Sequence, residues 1–263
     1  MFFREFIQDL VGACLDWRYW LTYGVLDARR IYLRTRFGML WEMVGPGLFV
    51  YVIGFAYTRL MANTATEFLP HIALGYIIWM NMQLVISRGS MMFVQVRPQI
   101  ISNPRPFFSY AFSTLTTSSI YSAVHLVVLV PVVIFYFPAF TDPKALIFFY
   151  YAILYVLTGI SLLTLLGVLC LRLPDIKPLI MAVNRLAFFV TPIIWTERNL
   201  GNTGRIVMTL NPYSYYVSGL RGAILGKDTT LTDMLVTLTI TLILMLAAMI
   251  SLQLSRHRIP YWL

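Results

Sequence analysis

Six apolar runs, each about the length of a bilayer crossing, take up most of this chain. They lie at about residues 40–60, 68–86, 110–137, 145–171, 179–195 and 231–254. A helix needs about 20 mostly apolar residues to cross a hydrocarbon core of about 30 Å. In lipid only helices and closed barrels satisfy every backbone polar group. The predicted fold class is therefore an all-α integral membrane protein with six transmembrane helices. Charge content agrees, since only 12% of the 263 residues are charged and 59% are hydrophobic, against about a quarter charged in soluble domains. Six spans leave no room for a separate soluble domain. One membrane domain over 1–263 is predicted, with 1–39 as a cytosolic and interfacial segment and 40–263 as the six-span bundle. Pro131 falls inside the third run and predicts a kink there.

The basic residues give the orientation. Arg4, Arg18, Arg29, Arg30, Arg34, Arg36, Arg88, Arg97, Arg105, Arg172, Lys177, Arg256 and Arg258 fall on one side of the predicted membrane. Arg59, Lys144, Arg198, Arg205, Arg221 and Lys227 fall on the other, and Arg185 lies within the fifth run. Lys and Arg concentrate on the cytosolic side, so both termini are predicted to be cytosolic. A net charge of +9 would otherwise suggest nucleic acid. Here the charges bracket apolar runs, as juxtamembrane residues do, and nucleic acid is not an expected partner. Cys14 and Cys170 fit no metal-ligand spacing, and both fall on the predicted cytosolic side, where a disulfide is not expected. The first residues carry Arg4, Glu5, Asp9 and Asp16 without an apolar core, which is not a signal-peptide pattern.

Two segments are neither spans nor simple loops. Residues 17–37 mix Trp17, Trp20, Leu21, Leu26, Ile31 and Leu33 with arginines that include Arg29, Arg30, Arg34 and Arg36. This reads as a helix lying in the membrane interface, aromatics at headgroup level and arginines toward anionic lipid or cytosol; an ordinary basic cytosolic helix is the other reading. Residues 196–230 are too long for a tight turn and too rich in Tyr and Leu for a free loop. Asn211-Pro212 signals a turn, and 213–225 is predicted to form a short external helix, re-entrant or interfacial.

Catalytic chemistry is sparse. The stretch Arg221-Gly222-Ala223-Ile224-Leu225-Gly226-Lys227-Asp228 lacks the first glycine of a P-loop and ends in Asp where Ser or Thr would bind magnesium. No cofactor is expected in this chain, and any ATP and Mg would be held by another. His71 and His125 are candidates for a membrane acyltransferase pair. They fall at different predicted depths, though, and structural histidines are the alternative. No span carries a pair of carboxylates at helical spacing, which weighs against an ion-coupled carrier. No metal site is expected. The 16 Tyr, 18 Phe and 6 Trp belong largely to lipid-facing and interfacial positions. Aromatic faces also stack on sugar C–H faces without strong directionality, which suits a glycan in motion.

Three stretches, in order, carry a resemblance. Asp27-Ala28-Arg29-Arg30-Ile31-Tyr32-Leu33-Arg34-Thr35-Arg36-Phe37-Gly38-Met39-Leu40-Trp41, followed by Pro46, is similar to the N-terminal signature of ABC-2 type export permeases of the polysaccharide and polyol-phosphate branch. Arg172-Leu173-Pro174-Asp175-Ile176 resembles that family's short Arg-Asp-Ile connection, with Leu173-Pro174 inserted. It is followed by Thr191-Pro192-Ile193-Ile194-Trp195, similar to the family's end of the fifth span. Asn211-Pro212-Tyr213, Tyr216 and Gly219-Leu220-Arg221-Gly222 resemble its pattern before the last span.

The resemblance implies a homodimeric membrane unit in the bacterial inner membrane, served by two copies of a separate ABC ATPase and moving lipid-linked polysaccharide such as O antigen or capsule. Residues 97–107 would be the segment that docks into the ATPase, with Arg97, Pro98, Ile101, Pro104 and Arg105 as coupling residues and prolines for stiffness; an ordinary kinked turn is the alternative. Trp41, Tyr51, Trp195, Tyr213, Tyr215, Tyr216 and Arg221 are the candidate substrate-path residues. An exporter of a small lipid or drug and a membrane-embedded acyl- or glycosyltransferase remain as other readings.

Overall fold

The computed structural model describes residues 2–30, 32, 35–60, 65–140 and 142–263. Among these residues the chain is helical almost throughout and contains no β-strand. Two helices come first, α1 (Phe2–Leu15) and α2 (Trp17–Arg30). The first membrane-crossing helix is α3 (Gly38–Arg59), followed by α4 (Ala65–Gly89). A short helix α5 (Arg97–Ser102) then leads through Asn103–Pro106 into α6 (Phe107–Leu126) and α7 (Leu129–Phe135). After these come α8 (Ala145–Arg172), α9 (Ile176–Val190), α10 (Glu197–Leu210), α11 (Pro212–Ile224), α12 (Leu231–Ser255) and the terminal turn α13 (Ile259–Trp262).

Among the described residues, five helical segments are long and apolar enough to cross a membrane: α3, α4, α6 with α7, α8 and α12. The sixth predicted span, 179–195, is not a sixth helix of the same kind. Helix α9 has 15 residues, about 22 Å at 1.5 Å per residue, short of a full hydrocarbon core. It stops at Val190 because Pro192 bars the preceding residue from helical geometry, and Thr191 is extended at φ −87°, ψ 139°. The predicted kink in the third span is present. Pro131 removes an N–H and crowds the carbonyl of Val127, and the helix breaks at Val127–Val128. There the Tyr51 hydroxyl donates to the Val128 carbonyl at 2.6 Å.

The first span is irregular in itself. It begins as a 3₁₀ turn at Gly38–Met43, continues as α-helix around Pro46, and widens to a π-turn at Phe49–Ile53. Widened turns of this kind recur at functional positions. Helices α3 and α12 are the least enclosed of the five, and α4 is the most enclosed.

Both ends of the chain meet at one end of the bundle, where Arg256 lies 3.9 Å from Glu5 and 3.4 Å from Asp9. A core joins them, containing Ala13, Phe93, Phe108, Leu163, Leu252 and Ile259. Helix α2 runs parallel to α6 in steps of about one turn. Trp20 meets Phe112 edge-on at 5.7 Å, Thr117 donates to the Gly24 carbonyl at 3.0 Å, and Tyr121 to that of Ala28 at 3.4 Å. The segment 17–37 is therefore a helix as far as Arg30, and it runs along α6. Small residues let backbones approach closely, and Gly24 shows why. A Cβ there would sit 2.7 Å from the Ser113 carbonyl oxygen.

At the opposite end, α11 presses into the bundle. A Cβ on Gly219 would lie 2.3 Å from the Tyr151 ring. The Lys144 N–H donates to the Ala223 carbonyl at 2.8 Å. Gly24→Ala should destabilise the α2–α6 pair by about 1–3 kcal/mol, because the facing atom is backbone and cannot swing away. Thermal unfolding of the purified protein in detergent should show the loss, and a melting temperature equal to wild type would contradict this packing.

Candidate coupling segment and aromatic faces

The segment from Arg97 to Pro106 is a protruding strap. Pro98 starts α5, where a missing N–H costs nothing, and Ile100 anchors the helix in the core. Arg97, Pro98, Ile101 and Pro104 are exposed. These four are candidate coupling residues with free outer surfaces.

Arg105, the fifth candidate, is held from behind. Its guanidinium donates to both Asp16 carboxylate oxygens at 2.7 and 2.9 Å and lies 4.1 Å over the Tyr19 ring. Its backbone N–H donates to the Tyr110 hydroxyl at 3.1 Å, and the Gln99 amide donates to Tyr23 at 2.9 Å. Two residues on, the chain enters α6 behind Pro106, which has no side-chain cap to offer. The first N–H groups of a helix need acceptors, and the Asp9 carboxylate of α1 supplies them, accepting from Phe107 at 3.1 Å and Phe108 at 3.0 Å. Burial raises the pKa of Asp9 above the ordinary carboxylate value, against the pull of these two N–H groups and Arg256. Two carboxylates of the N-terminal helices thus pin the strap at two points. Neither Asp9 nor Asp16 was singled out as a coupling residue in the sequence, since an isolated Asp shows nothing of a partner roughly ninety residues away.

The residues assigned to the interface helix divide. Trp17 is exposed with the Arg18 guanidinium 5.5 Å above its ring. Trp20 turns inward and donates to the Ala13 carbonyl at 3.1 Å. Arg29, Arg30 and Arg36 are exposed, and Arg34 lies outside the described residues. Asp27 pairs with Arg88 at 3.1 Å, whose guanidinium covers Tyr121 at 4.7 Å.

The path candidates also divide. Trp41 and Tyr51 stand on the open side of α3. Trp195 donates to the Phe189 carbonyl at 3.0 Å, Tyr215 to the Thr209 carbonyl at 2.9 Å, and Tyr213 lies 5.2 Å from Trp79. Tyr216 is buried in a hydroxyl triad with Thr158 and Thr241, at 2.8 Å from each. Arg221 is buried as well, donating to the Pro192 carbonyl at 2.6 Å beside His71 Nε2 at 3.1 Å. The two histidines are apart, for His125 faces Glu42 at 3.7 Å and Asn81 at 3.4 Å.

The structure adds a ring cluster in which Tyr213 alone was a sequence candidate. Phe49 stacks on Tyr76 at 3.8 Å and meets Phe188 at 5.6 Å. Phe188 lies 5.9 Å from Trp79, which reaches Tyr213. The chain of rings joins α3, α4, α9 and α11. Helical spacing alone cannot show which ring of an all-apolar helix faces another.

A family model described as ABC-2 type transporter matches residues 26–225, well over half of the chain. The chain belongs to the ABC-2 type transporter family. It is accordingly a multi-pass membrane subunit of an ABC transporter, with transport as its role and an ABC ATPase as its partner. No curated protein matches the chain. In this ABC-2 subunit the strap 97–106 is the candidate coupling segment, and Asp9 and Asp16 attach it to the N-terminal helices.

Breaking one attachment should uncouple transport from ATP use. Arg105→Ala removes two charge-assisted bonds and a ring contact, about 1–3 kcal/mol. Transport by the reconstituted complex should fall about tenfold with ATP hydrolysis largely retained. The paired exchange Asp16→Arg with Arg105→Asp should restore part of it. Equal loss in single and paired variants would refute the clamp.

Proposed function

We propose that this chain forms, as a homodimer, the membrane path of an exporter that moves lipid-linked polysaccharide (O antigen or a capsular polymer) across the inner membrane of a bacterium. Two copies of a separate ATPase, holding ATP and Mg, act from the cytosolic side, where both termini lie. The observation that carries the reading is the ring chain Phe49–Tyr76–Phe188–Trp79–Tyr213, which begins on the open first span. Rings of this kind stack on sugar C–H faces and tolerate sliding. A tight ionic pocket would hold a polymer in place.

The remaining parts fit a moving path. Helix α3 combines 3₁₀, α and π turns, so it can change pitch without unfolding. Closure of the ATPase would pull on Arg97, Pro98, Ile101 and Pro104. The load passes through Asp16 and Asp9 to α1 and α2 and directly into α6. At the far end, Trp195, Tyr213 and Tyr215 border the exit, Tyr216 is held inside the bundle by Thr158 and Thr241, and Arg221 holds α11 to the turn at Pro192. Export of a small lipid or drug would need a closed apolar pocket, and the rings lie along four separate elements.

Phe188→Ala with Tyr76→Ala should lower polymer export. Each lost stacking ring is worth about 1 kcal/mol, roughly fivefold. ATP hydrolysis by the assembled complex should persist. Polymer reaching the cell surface, measured by immunoblot in a strain lacking the native copy, reads the outcome. Unchanged export in the double variant would refute an aromatic path.

A further inference from the structure

Charged side chains of the membrane-crossing region have partners in most places. Arg88 pairs with Asp27 at 3.1 Å, Glu42 accepts from the Tyr32 hydroxyl, and Arg221 donates to the Pro192 carbonyl. Arg185 of α9 is different. It is exposed, and no acid, carbonyl or ring among the described residues lies within bonding distance of it. Its depth follows from its neighbours on α9. Toward the start of that helix Lys177 donates to Met91, just past the end of α4, and one turn after Arg185 the Phe188 ring lies 5.9 Å from Trp79 in the middle of α4. Arg185 thus stands level with a membrane-crossing helix, about 14 Å from the start of α9 at 1.5 Å per residue. The residue before it, Asn184, is buried with neither amide atom bonded among the described residues.

An unpaired guanidinium facing acyl chains at this level is costly, and such residues face a bundle interior or a water-filled path instead. What Arg185 meets there is set by the surfaces on either side of it. Ala182, Arg185 and Phe189 share one line at helical spacing, and Phe189 meets Phe188 of the ring chain at 5.3 Å. Leu179, Val183, Leu186 and Val190 form an exposed apolar line beside it. The cation therefore lies between an apolar strip and aromatic rings. That order matches an amphiphile whose phosphate joins a hydrocarbon chain to sugars. A planar guanidinium binds phosphate oxygens in pairs. A polymer acidic in every repeat would need cations along the whole path, and Phe49, Tyr76, Phe188 and Trp79 supply none.

We propose that Arg185 takes the phosphate of an amphiphilic substrate inside the membrane path. The substrate's hydrocarbon chain lies along Leu179, Val183 and Leu186, and its first sugars lie against Phe189 and the ring chain. This rests on the reading of the chain as an exporter of lipid-linked glycan, and it assigns that substrate a phosphate between lipid and sugar.

Labelling of a single cysteine beside the cation tests it in the assembled transporter, with the ATPase present, in phosphatidylcholine nanodiscs. Ala182→Cys is placed in a Cys14→Ser, Cys170→Ala background and treated with a water-soluble, positively charged methanethiosulfonate. Farnesyl diphosphate should slow the labelling several-fold, and farnesol should not. Arg185→Gln should abolish that protection and Arg185→Lys should keep part of it, with retained ATP hydrolysis showing that both variants assemble. In cells Arg185→Gln should lower surface polymer several-fold. Protection unchanged by Arg185→Gln would overturn the proposal and leave the exporter reading standing. Equal protection by tetragalacturonate would assign the cation to an acidic glycan, and equal protection by a short-chain phosphatidic acid would assign it to a membrane phospholipid. Either result overturns the proposal. So does labelling that is absent without any probe and restored by Glu42→Gln, which assigns Arg185 to a second copy. Surface polymer unchanged when the whole chain is deleted would remove the exporter reading itself, whatever the labelling shows.

Discussion

At three helix ends or breaks marked by proline, a distant side chain meets a backbone requirement. Behind Pro106 the opening N–H groups of α6 find Asp9 of α1. At the break before Pro131 the Val128 carbonyl accepts from Tyr51 of α3. After α9 the Pro192 carbonyl accepts from Arg221 of α11. A buried backbone group left unsatisfied costs free energy, and these links supply the missing partners. They also tie together elements that an unbroken helix would leave independent.

The same economy shapes the polar ends. Acids near the N-terminus pair inward, with Arg105, Arg88 and Arg256, while exposed arginines remain outside. Partly buried charge-assisted bonds hold geometry better than surface pairs, which keeps the strap fixed against α1 and α2. At the other end, Asn211 accepts from the Tyr213 N–H at 3.0 Å and donates to Thr191 at 2.9 Å. The turn residues that mark α11 in the sequence therefore also fasten it to the end of α9.

For an ABC-2 transporter subunit these attachments define two mechanical regions. Around the strap, α1, α2 and α6 are joined through Asp9, Asp16 and the close Gly24 contact. Around the rings, α3, α4, α9 and α11 meet through one stacked pair and several edge-on or tilted contacts. The irregular first span lies between the two regions, since Glu42 at its start faces His125 at 3.7 Å and Phe49 joins the ring chain.

The apolar runs by themselves determined that the chain is an all-α membrane protein, because length and hydropathy suffice when lipid is the solvent. The kink at Pro131 and the turn at Asn211-Pro212 were also legible, since both are local stereochemistry. Helix α1 was not, because its exposed face mixes Arg4 and Gln8 with Ile7, Val11 and Leu15, which leaves no clean period. The shortness of α9 was hidden by apolar residues running on past Val190, although Pro192 was visible as the reason. Only the tertiary structure decided which rings meet, that Tyr216 and Arg221 are interior, and that Asp9 and Asp16 hold the strap. Those facts rest on contacts between residues far apart in the chain. Hydrophobic periodicity cannot resolve the facing sides of helices that are apolar all round.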